Sequence, residues 1–160
     1  MYYDTAKNNH GLPYNPFKAL TVPRPIGWIS TVSKDGIGNL SPYSYFNGLS
    51  YNPPFVMFSA GNRADGSKKD SVLNAESPVH FECKYHQTVE LPCNDGFHHV
   101  VFGQVIGIHI KDEFITDDGI VDVLKMKVIA RLGYNDYTLI EKTFSIDDFK
   151  DKGKMTRGWK

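Results

Sequence analysis

Cysteine is scarce: Cys83 and Cys93 are the only two in 160 residues. They do not form a CxxC pair and are too few for a disulfide framework. Free structural thiols are therefore expected, with a bridge across the Cys83–Cys93 arm left open. Net charge is lacking too, since 18 Lys+Arg balance 18 Asp+Glu. There is no basic stripe to bind nucleic acid and no cationic helix to lie on a membrane. Apolar runs are strand-sized, too short for a transmembrane helix. The opening MYYDTAKNNH lacks the apolar core of a secretory signal, so a cytoplasmic location is expected. Internal repeats, low-complexity tracts and long helical patterns are missing. So are GxSxG, HExxH, Walker A and GxGxxG motifs. The last absence argues against a Rossmann nucleotide domain, not against transient use of a nicotinamide.

What is present suits one soluble domain over residues 1–160, with 41% hydrophobic and 22% charged residues. Residues 1–20, with Gly11, Pro13 and Pro16, read as an extended N-terminal arm of the kind that wraps a partner. Residues 25–33 alternate as a strand, with Ile26, Trp28 and Ser30 on one side and Gly27, Ile29 and Thr31 on the other. Asp35-Gly36 suits a hairpin turn, and residues 38–46 are predicted to return as the second strand. Asn52-Pro53-Pro54 breaks the chain, and Phe55–Ser59 reads as a strand buried on both faces. Residues 79–91 alternate most cleanly. Val79, Phe81, Cys83, Tyr85, Val89 and Leu91 form an apolar face opposite a wet one. Asn94-Asp95-Gly96 predicts a reversal into a partner strand over 99–110. Residues 111–119 read as an acidic turn, and 120–132 as one more strand or a short helix. The tail 147–160 is charged and expected to be loosely held. Short strands between regular turns indicate a barrel or sandwich, a mainly β fold with little helix.

Three groups of residues are candidates for chemistry. In the polar loop 61–71, Arg63, Lys68 and Lys69 with Ser67 and Ser71 can hold a phosphate, their charges and hydroxyls acting together. Composition alone leans to a solvated loop. In SPYSYFN, the Asn47 amide, the Ser44 hydroxyl and strand amides can satisfy the polar edge of a heteroaromatic ring, while Tyr45, Phe46 and Trp28 pack on its face. Ordinary core and dimer packing explains the same residues. The histidines make no metal site, because His80 and His86 stand roughly 20 Å apart on a strand at about 3.3 Å per residue.

The order of the blocks is more specific than any one of them. VPRPIGWIST at 22–31, the Asp35-Gly36 turn, NLSPYSYFN at 39–47 and NPPFVMFS at 52–59 resemble the flavin reductase-like family with an FMN-binding split β-barrel. The similarity continues through Ser67–Ser71, SPVHFECKYHQTVEL, FGQVIGIHI, and ARLG followed by Tyr137. It implies a flavin lying against the SPYSYFN strand, with Trp28, Ser30, Thr31, Ser44, Tyr45, Phe46 and Asn47 around it. Lys69, Asp70 and Ser71 match the segment that holds the FMN phosphate, with Ser59, Arg63 and Ser67 nearby. The family is usually homodimeric, with each flavin close to the subunit interface. The implied reaction is hydride transfer from NADH or NADPH to flavin, and on to a monooxygenase or another acceptor. No catalytic side chain and no metal are implied. Two other functions remain open: a split-barrel dimerisation or binding module without redox turnover, and an FMN electron carrier.

The chain departs from that pattern after Ser71. In the family this point opens a long helix, followed by a strand and more helix. Here only seven residues, Val72 to Pro78, precede the next strand. Two losses are expected: the helix N-terminus that favours a phosphate, and a barrel strand, whose absence bares sheet edges.

Overall fold

The computed structural model describes residues 1–2, 4–7, 9–32, 35–61, 77–93 and 96–144. After a one-turn helix, α1 (Phe17–Leu20), come β1 (Arg24–Pro25), β2 (Gly27–Val32), β3 (Gly38–Tyr43), β4 (Phe46–Tyr51), β5 (Pro54–Gly61), β6 (Val79–Cys93), β7 (Gly96–Ile110), β8 (Ile129–Arg131) and β9 (Tyr137–Leu139). Among the described residues these strands form three sheets: β4-β5-β7-β6, the β2-β3 hairpin, and β1-β8-β9. The molecule is mainly β, as the turn spacing predicts. The tail 147–160 lies outside the described residues.

Local chemistry explains most of these elements. Gly36 has φ 79°, the backbone freedom that the reversal between β2 and β3 needs. The predicted return strand over 38–46 is two strands. β3 ends at Tyr43, the chain bends through Ser44 and Tyr45, and β4 begins at Phe46 in a different sheet. The bend is held because the Ser59 amide donates to the Tyr45 carbonyl at 2.8 Å, pulling the corner onto β5. β5 lies between β4 and β7 and is half-buried from Pro54 to Ala60. The strand is thus present but only half-covered, not buried on both faces as its apolar run predicts, because few side chains pack over the sheet.

β6 and β7 form a hairpin of two 15-residue strands. Its register slips between Glu82 and Cys83 and again between Tyr85 and Gln87. The predicted apolar face of β6 is not covered: Phe81 is 46% and Tyr85 65% exposed. The cause is position. β6 is an edge strand whose main neighbour is β7, and the slips interrupt the alternation that a flat face requires. Buried apolar side chains are few; among the described residues they are Val105 on β7 and Ala130 on β8.

Three sequence expectations change. The N-terminal arm is not extended throughout, since Phe17–Leu20 makes a helical turn. It also folds onto its own chain. Tyr14 meets Tyr134 with ring centres 5.6 Å apart, and a Cβ at Gly133 would lie 2.6 Å from the Ala19 Cβ. Residues 120–132 are mostly turns, with a strand only at Ile129–Arg131. Here the Asp122 carboxylate accepts from the Lys125 amide at 2.9 Å, a local bond that competes with strand pairing. The bridge left open between Cys83 and Cys93 is excluded within the chain. Both are free, exposed and on β6, ten residues or roughly 33 Å apart, far beyond disulfide reach. Partial burial pushes the Cys83 thiol above its ordinary value, so it stays protonated at neutral pH.

Two close approaches carry the packing. A Cβ at Gly27 would meet the Phe46 ring at 2.6 Å, which shows how tightly β2 lies on β4. Gly133 does the same for α1. Gly27→Ala and Gly133→Ala are each expected to cost about 1–3 kcal/mol in urea unfolding. Gly48→Ala, which faces open space, should stay within about 0.5 kcal/mol; similar losses at all three would show that these contacts are not what matters. In protein kept from oxidants, a thiol reagent should titrate both cysteines. Alkylation of Cys83 should accelerate only as pH rises above the usual thiol range.

Candidate functional site

The corner between β3 and β4 gathers most of the sequence candidates. Ser44, Tyr45 and Phe46 are half-buried there, Asn47 is exposed one residue on, and Ser59 sits beside them on β5 through its bond to Tyr45. Not every one of these side chains is available to a ligand. The Phe46 ring fills the space against Gly27. Tyr45 lies beneath the Arg24 guanidinium, 5.6 Å from its ring centre. The Asn47 side-chain oxygen accepts from the Gly48 amide at 3.0 Å, so its amide donors are what it can offer outward.

Trp28, Ser30 and Thr31 lie on β2 and are exposed. Register sets them beside β3, Trp28 opposite Pro42, Ser30 opposite Leu40 and Thr31 opposite Asn39. Thr31 thus stands four residues, roughly 13 Å, along β2 from the Gly27–Tyr43 pair that adjoins the corner. Of the phosphate-loop candidates, Arg63, Ser67, Lys68, Lys69, Asp70 and Ser71 lie outside the described residues. The histidines are used locally. His109 meets Glu82 at 2.6 Å and His99 meets Glu90 at 3.6 Å, while His86 packs edge-on to Phe55 at 5.1 Å. Among the described residues no His, Cys, Asp and Glu group could hold a metal ion, and no helix is long and apolar enough to cross a membrane.

Sequence reasoning missed the residue that organises this region. Arg24 is 9% exposed. Its Nη1 donates to the Lys18 carbonyl at 2.5 Å and the Thr21 carbonyl at 2.7 Å, and its Nη2 to the Leu132 carbonyl at 2.9 Å. One guanidinium thus ties α1, β1 and the end of β8 together and roofs Tyr45. Its signal was a cation set between two prolines, Pro23 and Pro25, in an otherwise apolar strand. Arg131, also overlooked, donates to the Tyr137 hydroxyl and the Tyr134 carbonyl and lies 4.6 Å over the Tyr137 ring. These groups border an open cleft of about 1350 Å³ that reaches from the N-terminal arm to Ser44 and Tyr45.

Solved structures share this fold. Component B of nitrilotriacetate monooxygenase from Bacillus cereus superposes with TM-score 0.78 at 18% identity, over 91% of this chain and 98% of that one. A Shewanella frigidimarina protein described as a flavin reductase with a split-barrel domain gives 0.71 at 16%, over 92% and 99%. An FMN-binding protein from Thermus thermophilus gives 0.61 at 14%, over 86% and 98%. The chain therefore has the split-barrel fold found in flavin-binding proteins. In sequence it is 31% identical over 172 residues to an uncharacterised protein of Aquifex aeolicus, covering 75% of this chain and 86% of that protein. The chain belongs to the family of that Aquifex protein. No family model matches it. The alignment is longer than this chain yet takes up three-quarters of it, so the relative has residues with no counterpart here.

Replacing Arg24 by Met leaves three backbone carbonyls without their donor and is expected to cost about 2–4 kcal/mol in thermal or urea unfolding. Lys, a point charge without the fork, should recover only part of that loss. A change below about 0.5 kcal/mol for Met would show that Arg24 does not hold the sheets together.

Proposed function

We propose that the chain binds FMN and works as a flavin reductase-like oxidoreductase, taking hydride from NADH or NADPH. The observation that carries this reading is the β3–β4 corner. It offers a half-buried Ser44 hydroxyl, the Asn47 amide and Ser59 beside aromatic surface, within a fold shared with flavin-binding proteins. These groups fit the polar edge and flat face of an isoalloxazine. Ser44 and Asn47 would orient the ring, and Trp28, Ser30 and Thr31 would border its outer side. Arg63, Ser67, Lys69, Asp70 and Ser71 would hold the phosphate. Bound FMN supplies the hydride acceptor, and the chain's task is to orient it and to limit water around it.

The reading includes a homodimer. Trp28, Phe81, Tyr85 and Ile106 are large apolar side chains from 46% to 65% exposed, more than an isolated domain with so few buried residues leaves bare. A second copy over the open sheet faces would cover them. The sparse burial also favours a second reading, a split-barrel binding module that dimerises without redox turnover.

An absorbance spectrum after FMN soaking and desalting separates the two. About one flavin per chain is expected, with NADH or NADPH turnover following. A folded, colourless protein would sink the reductase reading. Retained FMN without oxidation of either nicotinamide would point to an electron carrier. Ser44→Ala is expected to weaken FMN roughly tenfold, the worth of one hydrogen bond. Sedimentation should give twice the chain mass.

A further inference from the structure

We propose that the cleft beside the β3–β4 corner is a binding site for a small aromatic carboxylate. The inference rests on the flavin reading only for its role, as the site of an acceptor next to the ring; the cleft itself stands on its own geometry.

Charge is the first observation. Among the described residues, Lys18, Arg24 and Arg131 border the cleft, against one carboxylate, Asp136. None of the three cations forms an ion pair with a described carboxylate. Arg24 is more than nine-tenths buried, and a buried charge is ordinarily paired. Its partners here are carbonyl dipoles and the Tyr45 ring.

Hydrogen bonding is the second. A guanidinium carries five N–H donors. Arg24 places three on the Lys18, Thr21 and Leu132 carbonyls. The Nε of Arg24 and the Nε of Arg131 are both buried with no acceptor among the described residues. Neither Nε is open to the cleft, but Arg131 spends only one donor of each Nη, on Tyr137 and Tyr134, and keeps the second of each. A carboxylate accepts from a guanidinium through two oxygens at once.

Shape is the third. Tyr14, Phe17 and Tyr134 line the same cleft and are 68%, 55% and 48% exposed. Tyr14 and Tyr134 touch each other, ring centres 5.6 Å apart and planes 59° apart, and their exposed outer faces form one aromatic wall on which a flat apolar body can stack. Tyr134 holds φ 54°, a left-handed backbone that a bulky side chain rarely adopts. Arg131 holds it there by donating to its carbonyl. Ser44 and Tyr45 form the inner end, so a bound ring would lie beside the proposed flavin edge.

The test is calorimetric titration of the full chain, with and without FMN, using benzoate as the probe. Benzyl alcohol presents the ring without the charge, acetate the charge without the ring, and inorganic phosphate a different anion. Benzoate is expected to bind at least tenfold more tightly than any of the three. Arg131→Gln should lose tenfold or more. Because Arg131 also braces its turn, two exposed variants accompany it. Lys18→Gln and Tyr14→Ala should each weaken benzoate several-fold with an unchanged circular dichroism spectrum. Benzoate binding no better than acetate, benzyl alcohol or phosphate overturns the proposal, as does binding indifferent to Lys18→Gln and Tyr14→Ala. Protein that takes benzoate but no FMN would keep the cleft and remove the flavin reading; protein that takes FMN but not benzoate would do the reverse.

Discussion

The Arg24 guanidinium is the interaction on which the described structure depends. The prolines on either side of Arg24 have no backbone N–H to give, and β1 is only two residues long. The side chain makes the connections that the backbone does not. By reaching Lys18, Thr21 and Leu132 it binds the N-terminal turn to the end of β8, and by lying over Tyr45 it joins both to the β3–β4 corner. A charge-assisted bond is stronger than a neutral one, and this guanidinium makes three. With so few apolar side chains fully buried, such bonds and the long antiparallel ladders carry more of the order than a deep core does.

The rest of the architecture is open. The β6-β7 hairpin has an apolar face with little over it, and β4 and β6 are both sheet edges. Edges and bare faces are liabilities in a soluble protein unless another surface covers them.

Strands were legible where chemistry is local. The strand read over 79–91 followed from alternation and its partner over 99–110 from the Asn94-Asp95-Gly96 turn, and both run a few residues longer, as Val79–Cys93 and Gly96–Ile110; β5 followed from its apolar run and the β2-β3 turn from Asp35-Gly36. The corner at Ser44–Tyr45 was not legible as a bend, because its cause is a bond from Ser59, fourteen residues downstream. The turns at 121–128 were misread because β-branched residues suggested a strand while Asp122 bonded locally instead. β9 was missed since three residues give no period to read. Of the candidate site, SPYSYFN was identified as a unit, yet only the structure separates Phe46, spent on Gly27, from Ser44, which borders the cleft, and Asn47, which is exposed.

By itself the sequence determined the mainly β fold class, the central strands and the hairpins that join them. All of these rest on period, turn chemistry and residue type, which act over a few positions. Tertiary structure alone decided that the N-terminal arm turns back on its own chain, that Arg24 and Arg131 meet around one cleft, and that the face of β6 stays bare. These depend on contacts between residues up to 108 positions apart, as Arg24 and Leu132 are. No local pattern encodes a guanidinium's partners at that range, because its long side chain reaches whichever carbonyls the fold brings near.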